Sequence, residues 1–158
     1  MATFNPSEIY QFAIKIEENG EKFYRTMVDK LENDKVIELF THLAKEEVRH
    51  KVTFQKLLSG FEDYRPPESY QDEYFQYLQA YAENLVFNFE KFETDMVKVE
   101  SLEDAFQYAI GKELDTIAYF REMKELVPVG EKDKIESILE EERRHVVLLT
   151  EMKKEVLN

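Results

Sequence analysis

One short pattern occurs twice in this chain, nearly a hundred residues apart. LAKEEVRH occupies residues 43–50 and ILEEERRH residues 138–145, and each ends in Glu-x-x-His. On a helix, residues three apart share a face about one turn apart, so each motif sets a carboxylate beside an imidazole. The motifs lie on stripes that otherwise read as core. Steps of three and four give Val36, Phe40, Leu43, Glu47, His50, Phe54 and Leu57 in one region, and Ile135, Ile138, Glu142, His145, Leu149, Met152 and Val156 in the other. Two further stripes have the same character: Tyr10, Ala13, Glu17, Gly20, Tyr24, Met27 and Leu31, then Leu102, Phe106, Ala109, Glu113, Thr116, Phe120, Met123 and Val127. A stripe of this spacing faces a helical core. Four carboxylates and two imidazoles therefore stand where the pattern asks for hydrophobes.

Punctuation divides the chain into four long helical segments. The first is expected to open at NPSE, with Asn5 as N-cap and Pro6 at the first helical position, and to run to about Leu31. Asn33 or Asp34 caps the second, which ends at Gly60. Ser101, with Asp104 three residues on, resembles a capping box and opens the third; Pro128 and Gly130 close it. The fourth starts near Glu131. Short loops make the first two segments, and the last two, antiparallel pairs. A helix of about 26 residues is about 40 Å long, and residues 61–100 suffice to run back along that length. The expected fold is all-α: a four-helix bundle of two antiparallel hairpins joined by one long crossover, forming one domain over residues 1–158. The aromatic stretch YQDEYFQYLQAYAENLVF, residues 70–87, is expected to add one helix within the crossover.

Burial of four carboxylates demands compensation. Each unpaired one costs several kcal/mol, and together they repel. None of the four stripes supplies Lys or Arg. Two divalent cations would bring the cluster near neutrality. Carboxylates with neutral imidazoles suit iron or manganese, and the absence of cysteine removes thiolate zinc sites, disulfides and a catalytic thiol. Absence of cysteine also fits a reducing cytoplasm. A net charge of −13 argues against nucleic-acid partners and anionic membranes. No apolar run reaches membrane-spanning length.

An internal repeat accompanies the motifs. AIKIEENGEKFY from Ala13 parallels AIGKELDTIAYF from Ala109; Glu17 precedes Glu47 by 30 residues and Glu113 precedes Glu142 by 29. Two copies of one hairpin, each giving Glu plus Glu-x-x-His, would form a symmetric two-metal site.

This pattern resembles the di-iron carboxylate signature of ferritin-like bundles, and AIKIEENGEKFY with EEVRH is most similar to the rubrerythrin branch. The resemblance implies Glu17 and Glu113 as terminal carboxylates, Glu47 and Glu142 as bridging carboxylates, and His50 and His145 as ligands of one metal each. It implies two iron ions, or manganese, and an oxidoreductase acting on peroxide or oxygen, or oxidising ferrous iron. A non-catalytic iron-handling protein and a dimanganese catalase-like enzyme share the same ligands. Two departures stand out. Rubrerythrins usually carry a Cys-ligated iron domain, and this chain has no cysteine. They also carry a further glutamate where this chain has Thr116. An external electron donor is therefore expected.

Around these six residues, Tyr24 is expected to bond either a ligating carboxylate or the backbone, with Phe120 as its non-equivalent counterpart in the second repeat. Gly20 either lets another helix approach or leaves room for substrate, or is only a tolerated helix glycine. His42 is expected at the surface. The crossover aromatics, Tyr70, Tyr74, Phe75, Tyr77, Tyr81, Phe87, Phe89 and Phe92, are expected to pack on the bundle, their free side favouring a homodimer.

Overall fold

The computed structural model describes residues 7–60, 72–85 and 89–158, so the Asn5–Pro6 cap and Tyr70 and Phe87 lie outside the described residues. Four long helices are present: α1 (Ser7–Lys30), α2 (Asp34–Ser59), α5 (Leu102–Leu126) and α6 (Lys132–Leu157). Two shorter ones, α3 (Asp72–Leu85) and α4 (Phe89–Lys98), occupy the crossover. The crossover thus carries two helices where one was expected. α4 was missed because FEKFETDMVK has a short, charge-dominated apolar stripe. Among the described residues there is no strand, and no helix is long and apolar enough to cross a membrane.

Local chemistry sets the helix ends. Asn33 caps α2, its side chain accepting from the Val36 N–H at 3.2 Å. Ser101 and Asp104 form a capping box at α5: Ser101 Oγ accepts from the Asp104 N–H at 3.1 Å, and Asp104 accepts from the Ser101 N–H at 3.2 Å. Val127 is extended ahead of Pro128, as a residue before proline prefers, and this ends α5. A 3₁₀ turn at Val129–Glu131 then reverses the chain into α6.

α1 packs along α2, and α5 along α6, as two antiparallel hairpins; α1 meets α5 and α2 meets α6. The four stripes face inward as the sequence requires, and Phe40, Phe54, Phe106 and Phe120 are fully buried. Their apolar residues form two cores rather than one. One contains Tyr10, Phe54, Tyr119, Phe120 and Leu139; the other contains Tyr24, Phe40, Leu43, Phe106 and Leu149. On every long helix, the acidic or histidine positions fall between residues of the first core and residues of the second. A polar layer therefore crosses the middle of the bundle with apolar packing above and below. Of the crossover aromatics, Tyr81 stacks on Tyr119 with centroids 6.4 Å apart, and Phe92 is buried in the second core.

Candidate metal centre

Each long helix contributes its polar residues near mid-length, with apolar packing on both sides. Glu17, Glu47, His50, Glu113, Glu142 and His145 are all buried, none more than 4% exposed. They converge as two overlapping sets. Glu17, Glu47, His50 and Glu142 bring one donor atom each within 4.8 Å of one another, and Glu47, Glu113, Glu142 and His145 do the same. Glu47 and Glu142 belong to both sets. The two imidazoles lie nearly parallel, with centroids 5.7 Å apart.

Both histidines present Nδ1 to the cluster. His50 Nδ1 lies 2.9 Å from Glu142 and 3.7 Å from Glu17; His145 Nδ1 lies 3.0 Å from Glu142, 3.5 Å from Glu113 and 3.7 Å from Glu47. These approaches are close but not aligned as hydrogen bonds. Both oxygens of Glu17 and of Glu142, one oxygen of Glu47, and Nδ1 of both histidines have no hydrogen-bond partner. Buried polar atoms are almost always paired. Donor atoms that crowd together yet aim past each other are what a shared cation would satisfy. The donor set, four carboxylates and two imidazoles with no thiolate, fits two hard-to-borderline divalent ions.

Electrostatics point the same way. Burial, then the charge of Glu142, holds Glu17 well above the usual carboxylate range. Burial, then Glu17 and Glu142, does the same to Glu47, and burial with Glu142 lifts Glu113 to about 7. Burial would raise Glu142 also, but contacts with His145 and His50 outweigh it and hold that carboxyl low. Burial disfavours charge on the imidazoles, yet Glu142 lifts His50 to about 9, and Glu113 with Glu142 lifts His145 to about 10. Without metal, the cluster is neutralised by protons. Metal ions would displace those protons, because ligands bind deprotonated.

Two supporting residues complete the geometry. Glu141, which sequence reasoning missed, accepts from His50 Nε2–H at 2.6 Å, and Arg49 holds Glu141 and Glu46 at 2.5 Å each. A carboxylate on the outer nitrogen fixes the tautomer that leaves Nδ1 free to ligate. Glu141 sits off the apolar stripe in a run of glutamates, so only its adjacency to Glu142 could have signalled it. Tyr24 donates to Glu113, a carboxylate from the other hairpin. Its counterpart Phe120 packs against Phe54 at 5.0 Å, so the tyrosine contact has no equivalent in the second repeat. His42 is exposed and outside the cluster.

Gly20 admits a close approach. A Cβ there would stand 2.6 Å from Glu47 Oε2 and 2.9 Å from its carboxyl carbon. Gly20→Ala is therefore expected to push the Glu47 carboxylate out of place. In binding titrations, metal affinity should fall about tenfold or more, since even residues that only support a ligand cost 10–100-fold. Unchanged affinity would show that Glu47 has room elsewhere.

The fold and this layer define a class: a four-helix bundle with a buried, two-fold carboxylate–histidine cluster, the ferritin-like architecture. A family model described as Rubrerythrin matches residues 8–153, and the chain belongs to that family. The chain is also similar to a crystal structure described as a ferritin-like diiron-carboxylate protein from Thermotoga maritima, with TM-score 0.70, 25% identity and 96% of each chain covered. No functionally curated protein matches it.

Proposed function

We propose that this chain is a di-iron oxidoreductase that reduces peroxide or dioxygen and is re-reduced by an external donor. The observation that carries this reading is the pair of four-residue donor sets sharing Glu47 and Glu142. Family membership and the diiron-carboxylate relative favour iron over manganese, which the same donors would also hold.

In this reading Glu17, His50 and the shared carboxylates hold one ion, and Glu113, His145 and the shared carboxylates hold the other. Bound iron supplies one-electron steps and open coordination positions for a small oxidant. The protein supplies the rest. Glu141 locks His50 so that Nδ1 faces the cluster. Tyr24 steers Glu113 and keeps a hydroxyl proton beside it. The absence of a side chain at Gly20 leaves space against Glu47 for its carboxylate. The apolar cores shield the layer from solvent above and below.

Loaded anaerobically with ferrous iron, the protein should be oxidised by peroxide or oxygen faster than free ferrous iron under stopped-flow mixing. Glu113→Ala and His145→Ala should slow this steeply, since each removes a ligand of one ion. Oxidation no faster than free iron with either oxidant would leave metal binding without catalysis as the better account.

A further inference from the structure

A cavity of about 50 Å³ leads from the surface to the carboxylate side of the cluster, between α1, α4 and α5. Glu47 and Glu113 form its floor. Phe23, Phe92 and Tyr108 form its walls. Two small residues open the route: Gly20, which leaves Glu47 uncovered, and Thr116 on α5. α4 closes the outer side; Phe92 is 8% exposed, and Glu93 receives Lys22 of α1 at 3.2 Å.

Size and charge restrict the occupant. A water needs about 10–15 Å³ by this measure, so the cavity has room for about four water-sized groups. Hydrogen peroxide or oxygen would leave half of it empty beside aromatic walls. Apart from the two floor carboxylates, the charged lining is Lys91 and Lys112 with Asp95 and Asp115, whose formal charges cancel. The mouth is therefore not an acidic funnel for ferrous ions, although the chain as a whole carries −13. A small neutral molecule with one polar end and a short apolar tail fits better.

Building on the di-iron reading, we propose that this cavity binds short-chain alkyl hydroperoxides, with the peroxide end at the Glu47–Glu113 floor and the alkyl tail against Phe23, Phe92 and Tyr108. Breaking the O–O bond takes two electrons and two protons and gives an alcohol and water; a ferrous pair held by the six residues would supply the electrons, one from each ion, and solvent the protons.

The test has a binding arm and a rate arm. For binding, ethyl hydroperoxide is titrated into zinc-loaded protein, where no electron can transfer, and amide shifts are followed by NMR. Saturable shifts at Gly20, Phe92 and Thr116 that vanish in Thr116→Leu are expected. Scattered or unsaturable shifts, or shifts unchanged in Thr116→Leu, overturn the proposal. For rates, ferrous-loaded protein is mixed with ethyl hydroperoxide or hydrogen peroxide. Thr116→Leu should lower the ratio of the two rate constants by about tenfold or more, the scale of a methylene misfit in a pocket. Phe92→Ala enlarges the cavity instead and should raise the rate with tert-butyl hydroperoxide relative to hydrogen peroxide, which decides the matter if Thr116→Leu does not fold. If hydrogen peroxide reacts and ethyl hydroperoxide does not, the cavity proposal falls while the di-iron reading stands. If neither reacts faster than with free iron, both fall.

Discussion

Glu142→Ala should abolish binding at both metal positions, whereas Glu17→Ala and Glu113→Ala should each impair one. Glu142 belongs to both donor sets, and its carboxylate lies within 3.0 Å of both imidazole Nδ1 atoms. Glu17 belongs to one set only and Glu113 to the other. Loss of a supporting contact to a ligand costs about 10–100-fold in affinity, and loss of a shared ligand should exceed that for both ions. Equilibrium dialysis against ferrous iron, followed by elemental analysis, should give two ions per wild-type chain and about one for Glu17→Ala and Glu113→Ala. Glu142→Ala should bind close to none. Glu142→Gln keeps the shape and removes the charge, so it separates lost ligation from a packing defect. Two ions held at wild-type affinity in Glu142→Ala would remove the shared-carboxylate arrangement.

Metal removal should make the protein less stable, and increasingly so as pH rises. In the metal-free protein the carboxyls of Glu17, Glu47 and Glu113 titrate above their ordinary value of 4.5. Their contribution to stability is complete below that value and is lost as pH climbs through the folded-state value, about 7 for Glu113. His50 and His145 behave alike: their contribution is complete below 6.5 and is lost through about 9 and about 10. Glu142 alone has the opposite sign, losing its contribution as pH falls below 4.5. Net stability should therefore decline from about pH 5 to pH 9. Glu113, titrating at about 7 together with its buried neighbours, places the main step of that decline around neutral pH, and a loss of several degrees in Tm is expected across it. The metal-loaded protein should show the reverse, because its ligands bind best deprotonated. Thermal melts with and without chelator at pH 5.5, 7 and 8.5 measure the widening gap, and Glu113→Gln should flatten the step near pH 7. Equal melting temperatures at pH 7 with metal occupancy confirmed would contradict a metal-neutralised core.

The bundle and its polar layer were legible because they rest on period. A stripe that places Glu47 and His50 between Leu43 and Phe54 fixes their direction and their burial, whatever partner faces them. Repetition of that stripe in the second hairpin then fixed the convergence of all six residues. What escaped depended on contacts between stripes. Tyr24 does bond a ligating carboxylate, one of its two expected partners, but that the carboxylate is Glu113 across the bundle rather than Glu17 on its own face escaped, because the interhelix rotation, not the sequence offset, decides which one its hydroxyl reaches. Glu141 supports His50 from outside the apolar stripe, where nothing separates it from the other surface glutamates. α4 was hidden by its charges; its place is set by Phe92 and Met96 entering a core built by other helices.

Anomalous diffraction at the iron edge, from crystals loaded with ferrous iron, tests the central claim most directly. Two peaks are predicted in the polar layer between the two apolar cores, about 3.5–4 Å apart. One should lie among Glu17, Glu47, His50 and Glu142, the other among Glu47, Glu113, Glu142 and His145. A single peak, or peaks only on surface carboxylates, would contradict a dinuclear centre built from these six residues.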